Sequence, residues 1–494
     1  MPFSAPFPPS DPRDRTSFSY ETVLKRWPVI ITGVIDVLHQ RCHDMSLESN
    51  SLEAASNATD AQSKIDIIQE KIGEATKVIE KISKLKYEMA RDRPLEKLPE
   101  DGEPGIRGYN DELTVLENEK RNTWFTAPWL YAECYLYRLL RSFLNQTTSW
   151  KSFDPFYDQN LKTFKHSGQS IFQIATSMHE LQALSTHSSV KINSDPEKIE
   201  VLFTEMIQMC LWGNATDLSL LTHISEEDIQ HLQSVGKDAQ AERAKFILKD
   251  DQKAVWQHLQ TLKDARIDFV LDNSGFELFT DLVFADFLVT HTPHVSSVVF
   301  HPKLIPWFVS DVTPPDFKST FSLLSDPAFF PAEVISPVQK ANPDSIQHLD
   351  EMITRWKKYL NQGVFKLSVD MNTRLGGDED SKKAEFWTTP RPYWDMETEA
   401  PEIFSDLKES GLVIFKGDLN YRKLSGDLRW PAWTSAEEAF GPLAGSFPLL
   451  SLRTNKADVV VGVDKDIAER LDVSGEKWRV DGRYALVTFI PRSK

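Results

Sequence analysis

Three cysteines in 494 residues, Cys42, Cys134 and Cys210, are too few and too scattered to staple a secreted domain or to build a thiolate zinc site. Apolar runs are short as well: none approaches the roughly 20 residues that a membrane span requires. The opening stretch Met1-Pro-Phe-Ser-Ala-Pro-Phe-Pro-Pro-Ser-Asp-Pro has neither the basic nor the apolar segment of an export signal. The expectation is therefore a soluble protein of a reducing compartment, cytoplasmic with the nucleus left open, with no membrane partner. Positive charge is scarce too. Against 73 Asp and Glu stand 56 Lys and Arg, a formal net charge of -17, and a polyanion such as nucleic acid needs clustered bases to bind. That balance excludes nucleic acid as a general partner while leaving room for a small phosphate held locally. No glycine-rich dinucleotide fingerprint follows any candidate strand.

What is present divides in two. After a proline-rich leader, residues 1–18, expected to be mobile, the chain reads as helix upon helix. Val23 to His43 carries Pro28 near its start, where a missing amide costs least. Ile65, Ile68, Ile72, Ala75, Ile79 and Ile82 step by three and four, which predicts an antiparallel hairpin partner that fades at Lys86. Trp129 to Leu139 is aromatic on nearly all sides, a buried helix with Glu133 and Arg138 embedded in it. Those two charges imply either structural ion pairs or the roof of a cleft. Further helices are expected over Ser170–Leu184 and Glu197–Leu211, with the boundary in the Lys191–Pro196 segment between them.

Beyond that segment strands alternate with helices, the pattern of a mostly parallel sheet covered on both faces. Candidate strands are Ile267–Asp272, Val295–Phe300, Trp307–Ser310, Val364–Val369, Leu412–Lys416, Leu450–Arg453 and Tyr484–Ile490. Candidate helices include Lys253–Leu262, Glu277–Thr290, Ile346–Leu360 and Glu402–Glu409. The fold class is thus α/β: a three-layer α/β/α, doubly wound sheet over residues 194–494, preceded by an all-α helical domain over 1–193, and most simply a monomer.

In such sheets functional side chains gather just past the strand ends. Asp272 and Asn273, Asp311, Asp418 with Asn420, and Arg453 with Lys456 all fall there. Gly275 permits the reversal into the helix that follows. Asp272, Asn273 and Asp311 offer only hard oxygens, which suit Mg²⁺ or Mn²⁺, with Co²⁺ or Ni²⁺ as substitutes. Lys416, Arg422, Arg453 and Lys456 are expected at the same edge as an anion clamp. A cation beside bases points to phosphate chemistry.

Four segments resemble the signature motifs of the DUF89 family of metal-dependent damage-control phosphatases: Leu211-Trp-Gly-Asn-Ala-Thr-Asp-Leu-Ser219, Asp272-Asn-Ser-Gly-Phe-Glu-Leu-Phe-Thr-Asp-Leu282, Phe415-Lys-Gly-Asp-Leu-Asn-Tyr-Arg-Lys423 and Leu452-Arg-Thr-Asn-Lys456. The last, an Arg-Thr-x-Lys motif, resembles the eukaryotic subgroup also known as sugar phosphate phosphatase or acidic residue methyltransferase 1. Pro128 to Arg138 and Trp307 to Asp311 are similar to that subgroup too. The family commonly has Asp-Asn-Ala-Gly where this chain has Asp272-Asn-Ser-Gly275, a small departure. The resemblance implies that Asp272, Asn273 and Asp311 hold the metal and act in catalysis. Asp418, Leu419, Asn420, Tyr421 and Arg422 would contact substrate beside Asp272 and Asn273, and Lys456 would bind its phosphate. Arg453, Lys416, Asn214, Asp217 and Glu133 are further candidates for the substrate site. The activity implied is hydrolysis of sugar phosphates of the fructose 1-phosphate and fructose 6-phosphate type, in a damage-control role. An alternative is an S-adenosylmethionine-dependent protein carboxyl methyltransferase with Glu277 on the cofactor; a second is a non-catalytic metabolite-binding protein.

Overall fold

Buried runs of aliphatic and aromatic residues form the centre of the protein, because a parallel sheet with helices on both faces leaves no strand face for water. The computed structural model describes residues 3–55, 59–187, 196–213 and 244–493. Its seven strands are β1 (Ile247–Asp250), β2 (Ala265–Val270), β3 (Val295–His301), β4 (Phe365–Leu367), β5 (Leu412–Lys416), β6 (Leu449–Thr454) and β7 (Ala485–Ile490). They lie in the order β1-β7-β6-β5-β2-β3-β4. Only the β6–β7 pair is antiparallel. Along β5 the side chains alternate between faces as a strand requires. Leu412 and Ile414 enter a core with the Pro196–Gly213, Phe276–His291 and Ser345–Gln362 helices. Val413 and Phe415 enter the opposite core, with the Pro401–Lys408 and Lys465–Ser474 helices. The three-layer α/β/α expectation holds.

From β2 the chain proceeds to β3 and β4 on one side, then returns to the other side of β2 for β5 and β6. The switch point therefore lies between β2 and β5, and the crevice past their carboxyl ends is where an open α/β sheet binds ligands.

The helices of the first part close over that edge. Trp27–Ala55 and Thr59–Ala90 pair antiparallel: Gln69 reaches Ser49 and Lys86 reaches Thr32, so partners separate in opposite directions along the two helices. The seam does not stop at Lys86. Val78, Ile82, Leu85 and Met89 continue the buried line to the helix end. This core also takes in Trp307, Phe308 and Val309 after β3, Leu419 after β5 and Ala457 after β6. The helices Tyr157–His166, Gly168–His187 and Pro196–Gly213 instead contribute to the core of the sheet.

Two expectations need correction, and one strand was not expected. Trp307–Ser310 is not a strand but a turn with Phe308 at φ 48° and Val309 at φ 75°. Its aromatic and β-branched content reflects burial against the helices, where Phe308 stacks on Tyr137 with ring centroids 4.9 Å apart. β1 escaped notice because its four residues are half-buried or exposed at the sheet edge and show no apolar run. The leader, expected to be mobile, is held across the molecule: Ser10 N donates to Asp427 O at 2.9 Å, Arg429 N to Pro8 O at 3.0 Å and Trp129 N to Ser10 O at 2.8 Å.

Candidate functional site

Residue 271 leaves β2 still bonded to β3, its amide donating to His301 O, and the next two side chains, Asp272 and Asn273, are delivered to the crevice. Gly275, at φ 69°, lets the chain turn directly into the Phe276–His291 helix. The left-handed turn after β3 brings Asp311 back beside them. Asn273 and Asp311 pair as an isolated antiparallel bridge. Ser274 N donates to Ser310 O at 2.6 Å and Val312 N to Asp272 O at 2.7 Å. The two loops are thereby stitched together, and Asp272, Asn273 and Asp311 are all buried. The Asn273 amide is oriented on both sides: Nδ2 donates to Asp272 Oδ2 at 3.0 Å and Glu277 Oε2 at 2.7 Å, while Oδ1 accepts from Ser310 Oγ at 2.6 Å.

Among the described residues no group of three or more His, Cys, Asp and Glu side chains is disposed to hold a metal. The trio here is two carboxylates and an amide. Its all-oxygen chemistry fits a hard divalent cation, and an amide oxygen has a second lone pair beyond the one Ser310 uses.

The four bases do not form one clamp. Lys416, fully buried, gives its ammonium to Glu277 Oε1 at 2.9 Å, Asp281 Oδ1 at 2.8 Å and Cys210 O at 2.9 Å. Burial opposes that charge, but Asp281, Cys210 and Glu277 outweigh it and hold the lysine well above its ordinary range. Burial pushes Asp281 up to about 6 against the pull of Lys416. Arg422 bonds Glu133 Oε2 at 2.6 Å and Asp427 Oδ2 at 3.0 Å, with its guanidinium 3.7 Å from the Trp129 ring centroid. Arg453 bonds Asp418 Oδ1 at 2.7 Å and the carbonyls of Val459 and Ala457. These three expectations are corrected for one reason: a buried base takes a carboxylate from the protein before it can offer charge to a ligand. Lys456 lies on the same edge, its backbone N donating to Asp418 Oδ1 at 3.0 Å.

Other candidates also have structural occupations. Asn420 bridges the carbonyls of Lys416, Val270 and Leu271 through Nδ2 and accepts from Tyr393 OH at 2.7 Å. The Tyr421 hydroxyl bonds the Val461 backbone, and Leu419 belongs to the helical core. Glu133 also accepts from Trp27 Nε1 at 3.1 Å, and Arg138 makes a two-pronged bond to Asp101, so both charges of the aromatic helix are structural ion pairs. Asn214 and Asp217 lie outside the described residues.

Lys303 went unnoticed in the sequence. It is fully buried, with Nζ 3.2 Å from Asp311 Oδ2 and also bonded to the carbonyl of Leu271 and to Asn420 Oδ1. One ammonium thus joins the ends of β2 and β3 to the segment after β5. Its signal was a base two residues past β3, the same position by which the other candidates were chosen.

A doubly wound α/β sheet with a hard-oxygen site at its switch point, closed over by helices, defines the class. The chain belongs to the family described as damage-control phosphatase ARMT1-like domain, which matches residues 22–471. It is similar to the damage-control phosphatase ARMT1 of Danio rerio, 32% identical over 486 residues that cover 96% of this chain and 94% of the relative. The Homo sapiens protein of the same name is 30% identical over 488 residues, covering 97% of each. A solved DUF89 family protein from Pyrococcus horikoshii shares 13% identity over 79% of this chain and 90% of its own, with a TM-score of 0.35.

Proposed function

We propose that this protein is a metal-dependent phosphatase that hydrolyses sugar phosphates, fructose 1-phosphate and fructose 6-phosphate among them, in a damage-control role. The observation that carries the reading is the convergence of Asp272, Asn273 and Asp311 at the β2–β5 switch point, with Lys456 on the same edge. The names of the relatives support the phosphatase class. A divalent cation, when bound, supplies Lewis acidity to a phosphoryl oxygen and acidifies an attacking water. The residues of the chain do the remaining work. Asp272, Asn273 and Asp311 hold the cation, and Lys456 meets the phosphate. Asp418 takes Arg453 Nε and Lys456 N on one oxygen and so shapes the segment that carries the lysine. In the Arg-Thr-x-Lys motif the arginine folds the loop and the lysine binds.

Glu277 gives no support to the methyl-donor alternative, because both its oxygens are taken by protein groups and it is fully buried. The test is an assay of the purified full chain against a panel of phosphate monoesters with Mg²⁺, Mn²⁺, Co²⁺ and Ni²⁺. Phosphate release that needs the cation and is lost in Asp272→Ala, with the fold retained, is the expected result. Full turnover in metal-free buffer or in that variant overturns the proposal.

A further inference from the structure

A buried cluster of charges sits directly behind the candidate metal site, and stability does not account for it. Glu277 and Asp281 stand one turn apart on the Phe276–His291 helix, and both meet Lys416 at the end of β5. All three are fully buried. Replacing such a cluster by packed apolar side chains is often neutral or stabilising, so its presence asks for another reason.

We infer that Glu277 is a positioning residue that fixes which end of the Asn273 amide faces the cation, and not a contact for an organic cofactor; this rests on the metal-dependent reading above. A neutral amide can turn end for end, and its neighbours decide which end points where. Asn273 Nδ2 lies between two acceptors, Glu277 Oε2 at 2.7 Å and Asp272 Oδ2 at 3.0 Å. A reversed amide would set its oxygen against two carboxylates and turn its hydrogens, which cannot ligate a cation, to the other side. Glu277 keeps this role only while it is held in place. Lys416 holds it, bonding Oε1 at 2.9 Å, and is itself anchored by Asp281 and the Cys210 carbonyl. The chain of contacts runs Ser310, Asn273, Glu277, Lys416, Asp281. Partners behind a metal ligand are commonly worth 10- to 100-fold in metal affinity. A ribose or other ligand could reach Glu277 only by displacing Lys416 or Asn273.

The experiment is Mn²⁺ titration calorimetry on the full chain, with unfolding followed in parallel. Glu277→Gln cannot satisfy both neighbours: whichever way the new amide points, its NH₂ meets either the NH₂ of Asn273 or the ammonium of Lys416. Mn²⁺ affinity should fall by about 10- to 100-fold. Asp281→Asn touches Lys416 and Cys210 but not Asn273, so it should lower thermal stability and leave Mn²⁺ affinity within about threefold of wild type. Adding Asn273→Asp to Glu277→Gln exchanges the two groups at unchanged total charge, restoring a donor facing an acceptor between positions 273 and 277 while removing the donor that faced Asp272. The double variant should regain affinity lost by Glu277→Gln, and its thermal stability, followed in parallel, separates this from repair of the fold. Unimpaired Mn²⁺ binding in Glu277→Gln overturns the inference alone. So does an equal loss in Asp281→Asn, or, where Glu277→Gln fails to fold, a folded double variant that binds no Mn²⁺. A wild-type protein that binds neither Mn²⁺ nor Mg²⁺ overturns the metal reading and this inference with it.

Discussion

At the scale of single residues, four buried bases at the carboxyl edge of the sheet are answered by carboxylates. Lys303, Lys416, Arg422 and Arg453 each meet a carboxylate within 3.2 Å while buried. In a low-dielectric interior an unpaired ion costs several kcal/mol or more, so each was matched within the fold itself. Lys456 is placed through its backbone, whose N donates to Asp418 Oδ1. It is the base assigned to the phosphate, and Lys456→Ala is expected to lower kcat by about 10²-fold or more with Mn²⁺ affinity little changed. Steady-state kinetics alongside calorimetry check this; kinetics equal to wild type would remove the lysine from the site.

At the scale of elements, the turn after β3 determines whether the site exists. Phe308 and Val309 take left-handed backbone angles, which for a β-branched residue costs about 1–3 kcal/mol. Tyr137 stacked on Phe308 and Asn160 bonded to Val309 O at 3.0 Å hold the turn in place. The helices of the first part thus set the position of Asp311. Val309→Gly separates turn from strand. Relief of the left-handed strain should offset the lost burial, so stability is expected to stay within about 1 kcal/mol of wild type. In a strand the same change would cost about 2–4 kcal/mol. Urea unfolding measures the difference.

At the scale of the whole molecule, the buried acids give stability a pH dependence. Burial raises Asp427 from 3.8 to about 6 despite the neighbouring Arg422, and Asp281 to about 6 likewise. Between those limits the native state binds more protons than the unfolded chain, so the contribution of each group to stability falls as pH rises from about 4 to about 6, then levels off. Asp427→Asn removes one of the two. Its unfolding free energy should decline less steeply across that window than the wild-type value, and identical slopes in urea titrations at pH 4, 5 and 6 would refute the assignment. Among the described residues no helix is long and apolar enough to cross a membrane.

The sequence by itself determined the layers, the six strands from β2 to β7 apart from their exact ends, and the strand-end positions of Asp272 and Asn273. These follow from periodicity and from the rule that ligands bind past parallel strands, both local or topological features. The motif residues at 272–277, 418–422 and 453–456 were equally legible. Tertiary structure alone decided what the bases do. Arg422 and its partner Glu133 are 289 residues apart, and no local pattern announces such a pairing. It likewise decided that Trp307–Ser310 turns where its composition reads as a strand, because packing against Tyr137 outweighs propensity there. Periodicity marks which residues are buried; only the fold shows what each buried charge is buried against.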